Sequence, residues 1–257
     1  SSAVGEEFAV IDYSAERIQS LKDKYSLPDE FILSLAMIEP RKNIEALIHA
    51  YSLLPAELQQ RYPMVLAYKV QPEQLERILR LAESYGLSRS QLIFTGFLTD
   101  DDLIALYNLC KLFVFPSLHE GFGLPPLEAM RCGAATLGSN ITSLPEVIGW
   151  EDAMFNPHDV QDIRRVMEKA LTDEAFYREL KAHALAQSAK FSWANTAHLA
   201  IEGFTRLLQS SQETDAGQAE SVTASRLQMM QKIDALSEVD RLGLAWAVAR
   251  NSFKRHT

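Results

Sequence analysis

The chain is poor in cysteine and in positive charge, and it contains no long apolar run. Its 257 residues include only Cys110 and Cys132, too few for a disulfide framework or a cysteine-based zinc site. The 25 lysines and arginines are outnumbered by 34 acidic residues, which argues against a nucleic-acid-binding protein that relies on overall charge. No apolar run approaches the roughly 20 residues of a membrane span, and the first residues lack the basic and apolar regions of a signal peptide. The sequence therefore predicts a soluble, cytoplasmic globular protein.

Short apolar runs alternate with amphipathic segments through the middle of the chain. Six of these runs predict strands: Phe31–Ala36, Met64–Tyr68, Leu92–Thr95, Leu112–Phe115, Ala134–Leu137 and Met154–Phe155. Helical patterns separate the first four runs, at Asn43–Leu54, Pro72–Tyr85 and Asp100–Leu109, and another helix is expected to begin at Pro125-Pro126. Strands alternating with helices imply right-handed crossovers and a mostly parallel sheet covered on both faces. The predicted fold class is α/β, a doubly wound, Rossmann-like parallel sheet.

The predicted strands stop near Asp159, and the rest of the chain has helical patterns. Three of them extend the main domain: Asp159–Leu171, Asp173–Lys190 and Trp193–Gln209. Residues 210–221 are polar and aperiodic, which predicts a linker. Two further helices are expected at about Val222–Leu236 and Ser237–Arg250. The predicted organisation is a domain over residues 31–209, the linker, and a helical connector over 222–257.

Residues 116–130, with the sequence PSLHEGFGLPPLEAM, are the densest in chemical function. They follow a predicted strand and so lie at the carboxyl edge of the sheet, where open α/β sheets bind ligands. Gly121 and Gly123 allow the backbone to approach a ligand, and the helix start supplies free N–H groups for an anion. Glu120 lies in the loop and Glu128 in the first turn of the expected helix, so two carboxylates could accept from ligand hydroxyls. The alternative left open is a surface acid at Glu128, favoured by the helix dipole.

Two cations follow the first predicted strand and therefore also lie at the carboxyl edge. Arg41 offers a planar fork of donors and Lys42 a point charge, and both suit a diphosphate. Alone, such a pair is usually a solvated turn. Together with the glycine loop and the two carboxylates, it favours a cradle for a nucleotide sugar.

Other chemistries find less support in the sequence. A dinucleotide oxidoreductase needs Gly-x-Gly-x-x-Gly after the first strand, and residues 36–41 read AMIEPR. The acidic run 100–102 is interpreted as a helix cap with acidic first-turn residues rather than a metal site. The six histidines show no metal-ligand spacing, and His119 is interpreted as an exposed loop residue. Four aromatic side chains are expected to pack in or near the core rather than stack on a ligand: Tyr107, Phe113, Phe115 and Phe122.

With these motifs the chain resembles the C-terminal, donor-binding domain of GT-B retaining glycosyltransferases of family 4, the glycosyl transferases group 1. The resemblance covers about Phe31 to Phe204 and includes the Glu-x7-Glu pair within PSLHEGFGLPPLEAM. Further matching phrases are IEPRKN at 38–43, FTGF at 94–97, SLPEV at 143–147 and FSW at 191–193. The implied fold is the C-terminal half of a GT-B enzyme, followed here by extra helices.

The resemblance also implies roles for individual residues. Arg41 and Lys42 would neutralise the donor diphosphate, and Glu128 would accept from the ribose hydroxyls. Glu120 would be the catalytic residue, contacting sugar hydroxyls near the anomeric carbon and stabilising charge without covalent attack. The backbone of the glycine loop would hold the sugar and phosphate, through Gly121, Phe122, Gly123 and Leu124. Phe97 and Leu98 would lie near the nucleobase. No metal and no cofactor is implied, and the donor is the substrate.

The sequence departs from the family pattern at three places. Ala36-Met37 stands where the family usually has Gly, often followed by a polar or basic residue. The second strand ends in Tyr68-Lys69 instead of a Val-Gly-like turn with a nearby Lys, and Ala134-Ala135 replaces a usual Pro after Cys132-Gly133. The first two departures bear on affinity for the diphosphate.

Residues 1–30 are too few to encode the N-terminal, acceptor-binding half of a GT-B enzyme, so they are interpreted as a segment leading in from that missing half. The expected partners are therefore this N-terminal half and further transferase modules, and no nucleic acid is expected. Peripheral membrane association of the full enzyme is compatible with the sequence. The tail resembles the connector between transferase modules in bacterial O-antigen mannosyltransferases, which favours GDP-mannose as donor and lipopolysaccharide biosynthesis as the process. The expected function is transfer of a hexose to a growing glycan, with the isolated chain inactive. The alternative is a non-catalytic GT-B-like module with a structural or regulatory role in a polysaccharide polymerase.

Overall fold

A computed structural model describes residues 3–35 and 39–214, with side chains up to 206. These residues fall into two compact units, one of residues 4–190 and another that contains residue 3 and the chain from 191 onward. The departure at Ala36-Met37, most of the predicted linker and the connector helices lie outside the described residues.

The unit of residues 4–190 is built on one sheet of six parallel strands in the order β3-β2-β1-β4-β5-β6. The strands are β1 (Ile32–Ser34), β2 (Met64–Leu66), β3 (Leu92–Phe94), β4 (Leu112–Phe115), β5 (Thr136–Ser139) and β6 (Met154–Phe155). This is the strand order of a doubly wound nucleotide-binding fold. The predicted α/β parallel sheet is confirmed.

The α-helices found in the described part of the chain are α1 (Ala15–Tyr25), α2 (Ile44–Ser52), α3 (Ala56–Arg61), α4 (Pro72–Ser84), α5 (Asp100–Leu109), α6 (Leu124–Arg131), α7 (Leu144–Ile148), α8 (Val160–Thr172), α9 (Glu174–Ser188) and α10 (Trp193–Thr214). Side-chain caps begin several of them: Thr99 accepts from a backbone N–H of α5, and Asp159 and Asp173 do so for α8 and α9. Helix α2 packs against α4 and α8, whereas α6 packs against α5, α7 and α9. Every residue of the four inner strands β1, β2, β4 and β5 is buried, as expected for a sheet covered on both faces. The two edge strands, β3 and β6, are partly exposed.

The structure corrects several predicted boundaries. The strand predicted at Ala134–Leu137 lies two residues later, and those predicted at Phe31–Ala36 and Met64–Tyr68 are shorter, because apolar side chains continue into the loops beyond the last paired residue. Helix α10 runs to Thr214, so the first five residues of the predicted linker are helical. Polar residues alone do not end a helix in the absence of Gly or Pro.

Residues 4–30 are not merely a leading segment, since they belong to the same compact unit as the sheet. They contain α1, whose Leu21 and Tyr25 are buried in the core. Ser14 caps this helix by accepting from the backbone N–H of Arg17, and Ser26 ends it in the left-handed region. The cap and the apolar pair four residues apart were available in the sequence as helix signals.

Candidate functional site

The candidate site lies where the strand order reverses, between β1 and β4. From β1 the chain passes to β2 on one side, whereas β4 leads to β5 on the other, so the loops that follow β1 and β4 diverge and leave a crevice. The two loops are joined through the backbone carbonyl of Arg41, which accepts from the N–H of Leu118 at 2.7 Å and from Ser117 Oγ at 2.9 Å. The predicted basic turn and the predicted carboxylate loop are therefore neighbours.

Lys42 and Glu120 form an ion pair at the centre of this junction. Lys42 Nζ lies 2.6 Å from Glu120 Oε1, and the two side chains are only 9% and 11% exposed. Ser117 Oγ donates to the same carboxylate oxygen at 2.7 Å, and Lys42 Nζ lies 5.0 Å from the centre of the Phe115 ring. The two buried side chains therefore compensate each other, and the Ser117 hydroxyl gives the carboxylate a second donor.

Arg41 occupies a different environment from its neighbour Lys42. Its side chain is 44% exposed, its Nε donates to Glu39 at 2.7 Å, and its Nη1 lies 3.7 Å from Glu120 Oε1. The guanidinium thus lies at the mouth of the crevice with donors still directed to solvent. Of the two predicted cations, Lys42 is buried and pairs with Glu120, whereas Arg41 is partly exposed beside this pair.

The glycine loop between β4 and α6 is held at Glu120 by the two residues that precede α7. Ser143 Oγ donates to the carbonyl of Glu120 at 3.1 Å, and Thr142 Oγ1 accepts from the N–H of Glu120 at 3.3 Å. Gly123 has a φ of +106°, and a Cβ there would approach Leu144 Cδ2 to 2.7 Å. Gly121 is exposed and has no atom within 4 Å of an added Cβ, so its backbone borders open space. Phe122 and Leu124 are partly exposed beside it.

Glu128 is not the exposed first-turn acid that the sequence left open. Because Gly123 is left-handed and α6 begins at Leu124, Glu128 is the fifth residue of the helix, beyond its first turn. Tyr107 OH donates to Glu128 Oε2 at 3.0 Å, and burial raises the pKa of the carboxyl despite this hydrogen bond. A half-buried carboxylate with a single fixed donor has spare capacity to accept further hydrogen bonds.

The loops that follow β2, β3 and β4 carry the remaining residues singled out in the sequence. Phe97 follows β3 at the same carboxyl edge and is 73% exposed, whereas Leu98 is partly buried against the core. His119, Tyr68 and Lys69 are exposed in their loops. An exposed aromatic ring at a sheet edge that otherwise carries charge provides a surface on which a planar base can rest.

The acidic run that begins α5 has a structural role that the sequence did not indicate. Asp102 is 3% exposed, and its carboxylate accepts from Arg17, Lys24 and Tyr25 of α1. Among the described residues, no group of three or more His, Cys, Asp or Glu side chains could hold a metal ion. Within the same residues, no helix has the length and apolarity needed to cross a bilayer.

Two residues of the site were missed by sequence reasoning. Ser117 connects the turn after β1 to Glu120, and its place three residues before Glu120 in the motif was the available signal. Tyr107 was predicted to be a packing residue, as Phe113 and Phe115 are, but its hydroxyl binds Glu128. The spacing of aromatic residues cannot distinguish a tyrosine that only packs from one that bonds a site residue, because the difference lies in the partner of its hydroxyl.

Comparison with known proteins supports the resemblance seen in the motifs. The family model for glycosyl transferases group 1 matches residues 17–190. The serotype-specific mannosyltransferase WbdA of Escherichia coli is 92% identical over 257 residues, which is all of this chain and 32% of that protein. The O-antigen chain mannosyltransferase B of Escherichia coli is 39% identical over 186 residues, covering 72% of this chain and 48% of that protein. The chain thus spans between a third and a half of these relatives.

Solved structures share the fold. The C-terminal domain of a glycosyl transferase group 1 protein, LpcC, from Francisella tularensis superimposes with a TM-score of 0.61 at 22% identity, covering 72% of this chain and 95% of that domain. Anabaena HepE in complex with UDP and glucose gives a TM-score of 0.60 at 19% identity, covering 69% of this chain and 48% of that one. The predicted architecture, one half of a GT-B glycosyltransferase, is therefore confirmed. With the motifs, the fold and the family model in agreement, the chain belongs to the glycosyl transferases group 1 family.

Proposed function

We propose that this chain is the donor-binding half of a retaining mannosyltransferase and that it binds the nucleoside diphosphate of GDP-mannose. The observation that carries the proposal is the meeting of Arg41, Lys42 and the glycine loop at the reversal of strand order. Ligands of open α/β sheets bind at this point of the fold. A basic turn on one wall and the backbone N–H groups at the start of α6 on the other suit a diphosphate between them.

The exposed guanidinium of Arg41 binds the diphosphate through its planar fork, and Lys42 contributes charge from below. The backbone from Gly121 to Leu124 donates N–H groups at the start of α6, where the helix dipole favours an anion. Glu128, with one oxygen held by Tyr107, accepts from the ribose hydroxyls. Phe97 and Leu98 border the base. No metal is required, because the two cations neutralise the phosphates.

Glu120 acts on the sugar in this proposal. Lys42 and Ser117 both hold its Oε1, so the carboxylate is fixed before the donor arrives. A prearranged negative charge stabilises the positive charge that develops at the anomeric carbon as the donor bond breaks. No covalent attack is assigned to it.

The identity of the sugar rests on the relatives. Two of them carry the name mannosyltransferase, and one of these is described as an O-antigen chain enzyme. Mannose is accordingly the proposed hexose and a bacterial surface polysaccharide the proposed product. Acceptor binding belongs to the remainder of the longer protein, because transfer requires both substrates in one closed cleft.

Titration of the chain with GDP, UDP, GDP-mannose and UDP-glucose by calorimetry tests the proposal. We expect saturable binding of GDP and GDP-mannose, weaker binding of the uridine compounds, and no sugar transfer to a simple mannoside acceptor. Arg41→Ala should weaken GDP binding by about tenfold, on the scale of one hydrogen bond to a charged group. Arg61→Ala removes an exposed arginine beside Glu30, remote from the crevice, and serves as the control. Absence of binding by all four compounds would favour the non-catalytic module.

Substitutions of Glu120 and Glu128 should have different effects on binding and turnover in the full-length protein. Glu128→Ala should weaken nucleotide binding by about 1.5–3 kcal/mol, since its contact with the ribose is equal in the ground and transition states. Glu120→Gln should lower turnover by about 10²-fold and barely change affinity for GDP, which has no sugar to contact. If both variants lose GDP binding equally, the catalytic assignment of Glu120 is wrong.

A further inference from the structure

Tyr107 is a buried tyrosine whose hydroxyl is directed at a carboxylate of the candidate site. Its side chain is 0% exposed, and its OH lies 3.0 Å from Glu128 Oε2. The ring packs edge-on against Phe113, with centroids 5.3 Å apart, and lies at a tilt to Phe8 at 6.5 Å. The buried ring is thus packed between two aromatic neighbours, with its hydroxyl directed at Glu128.

Helix α5, which carries Tyr107, is itself anchored on both sides of this residue. Next to it, Asn108 accepts from the N–H of Ile11 at 2.8 Å and donates to the carbonyl of Ala9 at 3.1 Å. Five residues earlier, Asp102 binds three side chains of α1. Helix α5, and with it Tyr107, is thus held in place by the N-terminal segment 8–25.

We infer that Tyr107 is the positioning residue for Glu128, holding one carboxylate oxygen in place so that the other can accept from the ribose of a bound nucleotide. The inference rests on the proposed function for the identity of the ligand. It assigns Tyr107 no contact with substrate.

The electrostatic surroundings of Glu128 explain why such a donor is needed. Burial raises the pKa of the Glu128 carboxyl, and the negative charges of Asp100 and Glu7 raise it further. Burial, and after it the charge of Glu128, raises the pKa of the nearby Cys132 thiol. The hydrogen bond from Tyr107 is the contribution that lowers the pKa of Glu128. Without it, the acid protonates at higher pH and loses an acceptor.

The test compares GDP binding by the wild-type chain and by Tyr107→Phe between pH 5 and pH 8, with calorimetry as readout. We expect Tyr107→Phe to bind GDP about three- to tenfold more weakly at pH 7. Binding by both proteins should decline as pH falls through the Glu128 pKa, and the midpoint should lie at higher pH in the variant. In Glu128→Gln the decline should be absent, and adding Tyr107→Phe to it should cause little further loss.

Tyr51→Phe is the matched control, because Tyr51 is also 0% exposed and its hydroxyl binds only the backbone carbonyls of Gln59 and Tyr62. Tyr51→Phe should lose about as much stability as Tyr107→Phe and leave the pH profile of GDP binding unchanged. The pKa of the Glu128 carboxyl, followed by carbon NMR in the ligand-free chain, should rise in Tyr107→Phe.

The outcomes separate the two proposals. If the wild-type chain binds no GDP, the proposed function fails, whereas the NMR titration still tests the hydrogen bond. If the wild-type chain binds GDP and Tyr107→Phe shows the same pH midpoint and the same Glu128 pKa, the positioning role is wrong. Should Tyr107→Phe not fold, a Tyr107 hydroxyl resonance that does not change as Glu128 titrates in the wild-type chain would equally overturn the positioning role.

Discussion

Lys42 and Glu120 are 78 positions apart in the chain, and their Nζ and Oε1 atoms lie 2.6 Å apart in a largely buried ion pair. The pair joins the turn after β1 to the loop after β4, on the two walls of the proposed donor crevice. Its burial makes each partner depend on the other. The arrangement leads to a first expectation about stability.

Lys42→Met should destabilise the chain by about 3–5 kcal/mol, because it leaves the Glu120 charge buried and uncompensated. Urea unfolding followed by circular dichroism measures the effect. The double variant Lys42→Met with Glu120→Gln should recover part of the loss, since both charges are then absent. Arg61→Met, which breaks the exposed pair with Glu30, should cost no more than about 1 kcal/mol. Equal losses for the buried and exposed pairs would contradict this account.

Gly121 and Gly123 should respond in opposite ways to substitution by alanine. Gly123→Ala forces a side chain into a left-handed backbone and against Leu144, and it should cost about 1–3 kcal/mol of stability. Gly121→Ala meets no atom and should leave stability within about 0.5 kcal/mol, yet weaken GDP binding by obstructing the backbone. Thermal melts and GDP titrations of the two variants check this. A stable Gly121→Ala with unchanged affinity would place the ligand elsewhere.

The Glu128 carboxylate should lower the free energy of unfolding at neutral pH. Folding raises the pKa of the Glu128 carboxyl because the side chain is buried. The stability linked to the protonated acid is therefore fully present below the pKa of the unfolded chain and is lost as pH rises through the pKa of the folded chain. Glu128→Gln should therefore be more stable than the wild-type chain at pH 7, with the difference shrinking toward pH 4. Urea midpoints at a series of pH values measure it. A variant that is less stable at every pH would show that the ionised carboxylate stabilises the fold.

Asp102 should have the opposite pH dependence. The Lys24, Tyr25 and Arg17 donors hold the pKa of its carboxyl well below the ordinary value, against the effect of burial. The stability it contributes is present above the unfolded pKa and is lost as pH falls below about 4. Asp102→Asn should cost about 1.5–3 kcal/mol at pH 7 and progressively less in acid, as unfolding curves at pH 7 and pH 3 would reveal. Asp101→Asn, at an exposed position of the same turn, should change little.

Much of the fold could be predicted from local patterns. The limits of β4, β6 and α5 agree with the prediction residue for residue, because apolar runs and a capped, acidic first turn are properties of adjacent residues. The predictions were less accurate where a boundary depends on strand pairing, as at β5, and where a short helix has no buried face, as at α3. Helix α1 was overlooked although Ser14 supplies its cap.

The sequence by itself determined the alternation of strands and helices, the placing of Arg41, Lys42, Glu120 and Glu128 at the carboxyl edge, and membership of the family. Only the tertiary structure decided which of these groups pair. The Lys42–Glu120 contact, the bond from Tyr107 to Glu128 and the anchoring of Asp102 by α1 join residues 78, 21 and up to 85 positions apart. Hydrophobic periodicity reports which face of an element is buried, whereas the partner of a buried polar atom depends on strand order and on helix packing across the sheet.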